Sequence, residues 1–277
     1  MLRLSLPRQR FIEAVRQPDD QIDLERAALY MAQEEYPDLD VEDYINALDV
    51  MAEELRERLP QTLYPLKVIQ TINRYLYDDL QFAGNSLDYY DPRNSYLNQV
   101  IDRRVGIPIT LALVYLAIAR RVDFPMVGVG MPGHFLIRPI ADEMEVFVDP
   151  FNSGETLFRQ DCEALLQQVY QQPVPLRSEF LDAVSHRQFL LRMLGNLKAI
   201  HLNRGDMHNA LAAIERILIL YPEAIGELRD RGILYFQMQR WTEARQDLEQ
   251  YLDQTPSAQD RSMIQQLLSR IDQGRPS

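Results

Sequence analysis

Apolar residues recur at helical spacing through the first third of the chain. The segment 23–37 places four of them on one helical face, at Leu24, Ala27, Ala28 and Met31. The segment 38–60 repeats the pattern, and its acidic start and basic end suit the helix dipole. A third helical stretch begins near Pro65. The pattern predicts a helical region over residues 1–83.

The next segment predicts a loop, a short helix and a buried helix. Turn-forming residues fill Ala83 to Asn94, so we expect a loop there. "SYLNQVIDRR" predicts a short helix that is capped by Asn94 or Ser95. In "PITLALVYLAIARRV", Pro108 suits the first helical position, where a missing N–H costs nothing. This helix is apolar on nearly every side, which predicts a buried position in the middle of a domain.

The hydrophobic period then changes from helical to extended. "MVGVGM", "HFLIRP" and "MEVFVDP" are short, rich in Val, Ile and Phe, and bounded by Gly and Pro. They predict three strands of an antiparallel sheet packed on the buried helix, with the acidic turn Ala141–Glu143 joining the last two. "FNSGETL" closes this unit, and residues 84–160 form the predicted core.

The last part of the chain contains an internal repeat. After a helix and linker at 161–185, residues 186–277 align with themselves at an offset of 34. Matched pairs are Met207 with Trp241, Ala210 with Ala244, and Pro222 with Pro256. A 34-residue helix–turn–helix period of this kind is the tetratricopeptide pattern. We therefore expect an α+β protein that ends in two tetratricopeptide repeats and a polar capping helix.

Charge and cysteine content narrow the class of protein. The 277 residues carry a net charge of −12, which disfavours direct binding to nucleic acid. Cys162 is the one cysteine, so a disulfide framework is excluded. The N-terminus lacks a signal-peptide pattern, and no window is apolar enough for a membrane span. These features predict a cytoplasmic protein with no membrane contact.

One histidine and one aspartate stand at positions typical of a catalytic triad. His134 lies in "PGHFLIRP" and Asp149 in "VFVDPF", each at a predicted strand. Together with "SYLNQVIDRRVGIPITLALVYLAIARR", these motifs resemble the core of the SirB1 family, a branch of the transglutaminase-like superfamily. The resemblance covers roughly residues 30 to 260. It implies a transglutaminase or papain-like core with a cysteine at the start of the buried helix, a histidine on one strand and an aspartate on the next.

The cysteine that the resemblance implies is missing. Its position falls on Pro108 or next to it, and neither Ile107 nor Ile109 carries a reactive group. Cysteine acyl transfer is therefore not expected there. Thr110, in the first turn of the same helix, is either a substitute nucleophile or a residue whose hydroxyl bonds a nearby backbone group. Cys162 follows the histidine and aspartate in the wrong order for this family, and we expect it to be a packing residue.

Several roles remain open for the histidine and its neighbours. His134 and Asp149 form either a vestigial structural pair or a ligand-contacting site. A metal would require Asp142 or Glu143 to join them, and the spacing of known metal motifs is missing, so we expect neither metal nor cofactor. Arg103 and Arg104 either hold an anion or form salt bridges.

Two functions from different classes follow. The first is a non-catalytic interaction or regulatory protein, a pseudoenzyme whose repeats bind a protein or peptide partner. The alternative is a hydrolase or acyl transferase of altered mechanism, in which Asp149 orients His134 as a general base. An open cleft at His134 favours the alternative, whereas a ring covered by Phe151 or Tyr115 disfavours it. The sequence does not determine the partner, the pathway or the oligomeric state.

Overall fold

A computed structural model describes residues 4–60, 64–140 and 145–274. The chain divides into two compact units, Met1–Met193 and Leu194–Ser277, and each is described by itself. The finer boundaries expected at residues 83, 160 and 185 remain predictions.

Four α-helices open the first unit, in agreement with the predicted helical region. They are α1 (Leu6–Val15), α2 (Leu24–Ala32), α3 (Val41–Arg56) and α4 (Pro65–Asn73), with a 3-10 turn at Asp19–Gln21. The side chains of Ser5, Asp23 and Asp40 each accept a backbone N–H at the start of α1, α2 and α3. Such caps satisfy donors that the helix itself leaves unpaired, and they fix where each helix begins.

The third predicted helix is not α-helical throughout. After α4 the chain continues as a π-helix over Arg74–Asp79. Three consecutive side chains are buried there, namely Tyr75, Leu76 and Tyr77.

The segment expected to be a loop contains a short strand. Strand β1 (Ala83–Gly84) pairs in parallel with β2 (Val105–Gly106), which follows α5 (Leu97–Arg103). The predicted side-chain cap of α5 is wrong: Tyr96 is the capping residue and its side chain makes no cap bond. Neither Asn94 nor Ser95 caps α5. Asn94 lies in a 3-10 turn of its own, and its side-chain amide donates to the carbonyl of Asp88.

Helix α6 (Pro108–Arg121) is the centre of the first unit, as predicted. Pro108 is its first residue, and every side chain from there to Ala119 is buried. It packs on α3, α5 and the first two strands of the main sheet. Burial on all sides explains why its sequence shows no polar face.

The main sheet is antiparallel and has four strands in the order β3-β4-β5-β6. Their bounds are β3 (Met126–Val129), β4 (Leu136–Pro139), β5 (Phe147–Asp149) and β6 (Glu155–Leu157). The first three match the predicted strands, and β6 adds a fourth from the segment expected only to close the unit. The predicted acidic turn Ala141–Glu143 lies outside the described residues.

Helices α7 (Arg159–Tyr170) and α8 (His186–Asn203) follow, with a 3-10 turn at Ser178–Leu181 between them. The start of α8 is fixed by a reciprocal cap. Gln188 N–H donates to Ser185 Oγ, and Ser185 N–H donates to Gln188 Oε1. This is a capping box, which the letters "SHRQ" already encode.

The second unit consists of helices that repeat at the predicted spacing. It comprises the end of α8, then α9 (Met207–Leu220), α10 (Ile225–Gln237), α11 (Trp241–Gln254) and α12 (Arg261–Asp272). Helices α9 and α11 begin and end at positions related by the offset of 34. Ala210 and Ala244 are both fully buried, as close packing of the helix pairs requires.

The architecture is α+β, as the sequence predicts: helices dominate, with a small sheet on α6. Among the described residues, every helix is too short or too polar to cross a membrane.

Candidate functional site

His134 ends a tight turn between β3 and β4. Its N–H donates to the carbonyl of Met131 at 3.0 Å, and Gly133 has φ +71°, a conformation that favours glycine. A Cβ at Gly133 would also lie 2.4 Å from Val169, so helix α7 closes over the turn. The "PGH" sequence therefore defines a turn that places the histidine just before the start of β4, at the end of the sheet's inner strands.

Asp149 is the last residue of β5, beside the strand that follows His134. Ile137 pairs with Val148, so Leu136 lies opposite Asp149 and His134 falls on the same face. The structure brings the two side chains together, with His134 Nε2 2.7 Å from Asp149 Oδ2. Asp149 is 1% exposed and His134 9%. The sequence predicted this contact.

Asp149 receives further hydrogen bonds from the two residues that follow Pro150. The N–H groups of Phe151 and Asn152 donate to Oδ1 at 3.0 and 3.3 Å, and Asn152 Nδ2 donates to Oδ2 at 2.7 Å. Burial raises the pKa of Asp149, but the bonds from His134 and Asn152 outweigh it and leave that pKa below its ordinary value. The carboxylate is therefore ionised at neutral pH.

Two polar side chains from other elements hold the loop after Asp149, and a third positions one of them. Tyr77, on the π-helix, donates its hydroxyl to the carbonyl of Pro150 at 3.0 Å. Asn73 donates to the carbonyl of Gly154 at 2.6 Å, and Tyr115 donates to Asn73 Oδ1 at 3.0 Å. Sequence reasoning did not find Asn73 or Tyr77, because their partners lie more than 70 residues away.

Arg192 is a third residue whose role the sequence did not predict. From α8 its guanidinium donates to the carbonyls of Met131 and His134, at 3.2 and 2.6 Å, and lies 5.3 Å from the ring centre of Phe135. It thus fastens both ends of the turn that presents the histidine. Burial lowers the pKa of this guanidinium from its ordinary value, and Tyr89 opposes that effect.

The histidine ring is partly covered by an aromatic neighbour. Phe151 meets it edge-on, with ring centres 6.5 Å apart and planes at 85°. Tyr89 in turn packs edge-on against Phe151, with centres 6.0 Å apart. Tyr115 instead turns toward Asn73. Because Phe151 covers part of the His134 ring, the structure disfavours an open catalytic cleft at this histidine.

The helix start where a nucleophile was expected is occupied by structural groups. Pro108 begins α6, and Thr110 is fully buried. The Thr110 hydroxyl accepts the N–H of Ile107 at 3.1 Å and donates to the carbonyl of Asn94 at 2.7 Å. Its one hydrogen is therefore already engaged, and the hydroxyl caps the helix.

Cys162 lies in α7, within an apolar cluster that includes Met131, Leu136 and Phe147. The residue is fully buried, and burial raises the pKa of its thiol to about 11. A thiol of this kind is protonated at neutral pH and unreactive.

The remaining candidates lie apart from the pair. Arg103 Nη2 is 3.6 Å from Asp91, and Arg104 lies over the ring of Phe82, so both have local partners. Across 4–60, 64–140 and 145–274, no three His, Cys, Asp or Glu side chains are arranged to hold a metal ion. Asp142 and Glu143 are outside these ranges.

The arrangement defines what His134 can do. Because Asp149 is ionised, the hydrogen of a neutral imidazole resides on Nε2, and Nδ1 carries the lone pair. Asp149 holds the ring, and Arg192 holds the backbone of the turn that carries it. The pair can therefore accept a proton or a hydrogen bond from a group that reaches Nδ1, which is the task of the histidine in a triad.

Comparisons with known proteins agree with this arrangement. Residues 42–195 match the family described as the transglutaminase-like superfamily, and residues 197–269 match the tetratricopeptide repeat. A UPF0162 protein of Xylella fastidiosa is 39% identical over 250 residues, which cover 89% of each chain. UPF0162 protein YchA of Escherichia coli is 28% identical, over 86% of this chain and 87% of its own.

A eukaryotic relative shares part of the chain. Human F-box only protein 21 is 34% identical over 188 residues, which are 64% of this chain and 29% of the human protein. No solved structure matches. The chain belongs to the transglutaminase-like superfamily and, within it, groups with the UPF0162 proteins.

Proposed function

We propose that this protein is a non-catalytic member of its superfamily that acts as a protein-interaction or regulatory module. The observation that carries the proposal is the start of α6. Pro108 has no nucleophilic atom, and the neighbouring Thr110 hydroxyl is buried and already bonded on both sides. Cys162 is a buried thiol with a raised pKa. A histidine and aspartate without a nucleophile retain the geometry of a triad but not its first step.

The repeat unit supports the interaction role. Tetratricopeptide repeats stack into surfaces that receive peptides or helices. Three large apolar side chains of this unit are exposed, namely Leu202, Met207 and Met263 at 42%, 36% and 44%. We propose these side chains as contacts for a protein partner. Leu202 and Met207 flank the turn between α8 and α9.

Capture from a lysate tests the interaction role. The full chain is compared with Leu202→Asp and Met207→Asp, which change exposed side chains and leave the buried Ala210 position intact. The matched control is Val50→Asp, which makes the same kind of change at a side chain that is 58% exposed on α3. We expect specific partners to be lost from the two repeat variants and kept by the control. Equal capture by all four chains would contradict a role for this surface.

A second candidate is a hydrolase or acyl transferase of altered mechanism, and the formed His134–Asp149 hydrogen bond is the observation that favours it. Wild type, His134→Ala and Thr110→Ala are assayed for ammonia release from glutamine peptides. We expect none from wild type. Release that disappears in Thr110→Ala, with folding retained, would establish threonine chemistry and overturn the non-catalytic proposal.

We also propose that the protein is cytoplasmic and that it is a SirB1-type protein. The low cysteine content supports the location. The "PGHFLIRP" and "VFVDPF" motifs support the affiliation.

A further inference from the structure

Strand β3 is the outer strand of the main sheet, and only part of its free edge is covered. On its inner side it pairs with β4 along its whole length, from Met126 opposite Pro139 to Val129 opposite Leu136. On its outer side, Val184 N–H donates to the carbonyl of Gly128 at 2.9 Å, and Val129 bridges to Ala183. Beyond that point the covering segment leaves the sheet.

The direction of the backbone groups along β3 follows from these bonds. Ile140 N–H donates to the carbonyl of Pro125, so residue 125 bonds inward. In an antiparallel pair, inward and outward residues alternate, so Val127 and Val129 also bond to β4. Met126 and Gly128 therefore direct their N–H and C=O groups outward, as the bond from Val184 to Gly128 requires. The outward groups of Met126 are not paired by β4.

The covering segment stops at Val184 because α8 begins there. Asp19 accepts the N–H of His186 at 2.9 Å and that of Arg187 at 2.9 Å, and Ser185 and Gln188 form the capping box. The residue that would continue the pairing opposite Met126 is His186, and its N–H is taken by Asp19. Among the residues that the structure describes, the outer edge at Met126 thus has no partner strand.

A cavity of about 430 Å³ opens along this edge. That volume lies in the ~300–1,000 Å³ range of small-ligand pockets. Its walls come from β3, α6, α2 and the start of α8, and they are largely apolar, with Leu113, Leu116, Val184 and Phe189 among them. All these residues belong to the first unit.

The charged groups that line the cavity are mostly acidic. They are three carboxylates, Asp20, Asp23 and Glu25, and one guanidinium, Arg120. Arg120 already binds Glu25 at 2.9 Å, and Arg121 binds the same carboxylate at 3.0 Å. Asp23 in turn pairs with Arg26 at 3.4 Å, so Asp20 is the carboxylate of this cavity that a ligand can use. Asp20 is exposed and has no ion pair with any residue within the described ranges. A ligand that carries positive charge is therefore favoured over an anionic one.

We infer that this edge and cavity bind an extended peptide with alternating apolar and cationic side chains. The backbone of the peptide would add a strand at Met126, in line with residues 182–184. Its apolar side chains would enter the cavity, and a lysine or arginine would lie near Asp20. Strand addition of this kind takes its affinity from main-chain hydrogen bonds and its specificity from alternate side chains. This surface lies in the first unit and not in the repeat unit. The capture experiment with the Leu202 and Met207 variants therefore does not test peptide binding at β3.

Binding of two peptide pools to the full chain tests the inference. Both pools are acetylated hexapeptides with Val, Ile or Leu at three alternating positions. One pool has Lys at the other three positions, and the matched pool has Glu. We expect the Lys pool to bind more tightly and Asp20→Lys to weaken that binding about threefold or more, since an attraction becomes a repulsion. Asp253→Lys, which makes the same charge change on α11, should bind like wild type. Equal binding of both pools, or equal binding by Asp20→Lys and wild type, would overturn the inference.

Amide hydrogen exchange locates the bound peptide. In the free protein, Val127 and Val129 should exchange more slowly than Met126, because only the first two amides bond to β4. Addition of the Lys pool should slow exchange at Met126. Protection that appears elsewhere, with Met126 unchanged, would show that the peptide binds another surface and would refute strand addition at β3.

Discussion

At the scale of single residues, the environment of each side chain decides its chemistry. Thr110 and Cys162 carry nucleophilic atoms, yet one hydroxyl is bonded on both sides and the thiol is buried in an apolar cluster. Asp149 is also buried, but it stays charged because four hydrogen-bond donors surround it. Burial alone therefore does not predict charge, whereas burial together with the available donors does.

The first residue-scale prediction concerns acid stability. The folded-state pKa of Asp149 is lowered, so its contribution is present above the pKa of about 3.9 of the unfolded chain and is lost as pH falls through the folded value. We expect Asp149→Asn to be less stable than wild type at pH 7, by about 1–3 kcal/mol. This difference in the free energy of unfolding should shrink as the pH falls from 5 through the folded-state pKa of Asp149. Urea unfolding at several pH values measures it, with the exposed Asp253→Asn as control; a difference independent of pH would contradict the assignment.

The second residue-scale prediction concerns the thiol. Because Cys162 is buried and the pKa of its thiol is raised to about 11, a thiol-alkylating reagent should label it slowly in the native protein and quickly in urea. Mass spectrometry after timed exposure measures the two rates. Rapid native labelling, with loss of partner capture, would show that the thiol is both accessible and functional.

At the scale of elements, small residues and caps determine how helices pair and where they start. Ala210 and Ala244 lie at equivalent positions of the two repeats and allow close approach of the helices. Gly232 does the same on α10, since a Cβ there would lie 2.8 Å from Leu248. These positions cannot accommodate a larger side chain, because the facing helix already fills the space.

The element-scale prediction follows from that packing. Ala210→Trp and Ala244→Trp should each lower the stability of the repeat unit by about 1–3 kcal/mol or more, because the indole has no space between the paired helices. Thermal unfolding followed by circular dichroism measures the loss. Gln246→Trp, an exposed position on the same helix α11, is the matched control. If both buried variants melt at the same temperature as the control, the helices do not pair as described.

At the scale of the whole molecule, charge limits the choice of partners. The chain carries a net charge of −12 and an isoelectric point near 4.9. Nucleic-acid affinity rests mainly on contacts between cationic side chains and phosphates, and the overall field of this protein opposes them.

The whole-molecule prediction is that the protein does not bind duplex DNA directly. In a gel-shift assay with a labelled duplex at low salt, we expect free DNA at all protein concentrations, while a basic protein in parallel retards the probe. Low salt is chosen because it favours electrostatic binding most strongly. A retarded band that vanishes as salt rises would reveal a local basic surface that overcomes the net charge.

The sequence by itself determined what depends on short-range pattern. Helical spacing of apolar residues predicted α2 and α3, and a long apolar run that begins at Pro108 predicted α6. The offset of 34 predicted the repeats, and the "PGH" and "VDP" motifs predicted that His134 lies beside Asp149. These features are encoded locally, because backbone preferences, side-chain period and strand register act over a few residues. The sequence also showed directly that position 108 is a proline, which has no nucleophilic side chain.

Only the tertiary structure decided which groups meet across the fold. Arg192 reaches the turn of His134 from 58 residues away, and Asn73 holds a loop 81 residues further on. The open edge at Met126 likewise exists because Asp19 captures the start of α8, 167 residues along the chain. Such contacts depend on how whole elements pack, and polar side chains that make them look like ordinary surface residues in the sequence.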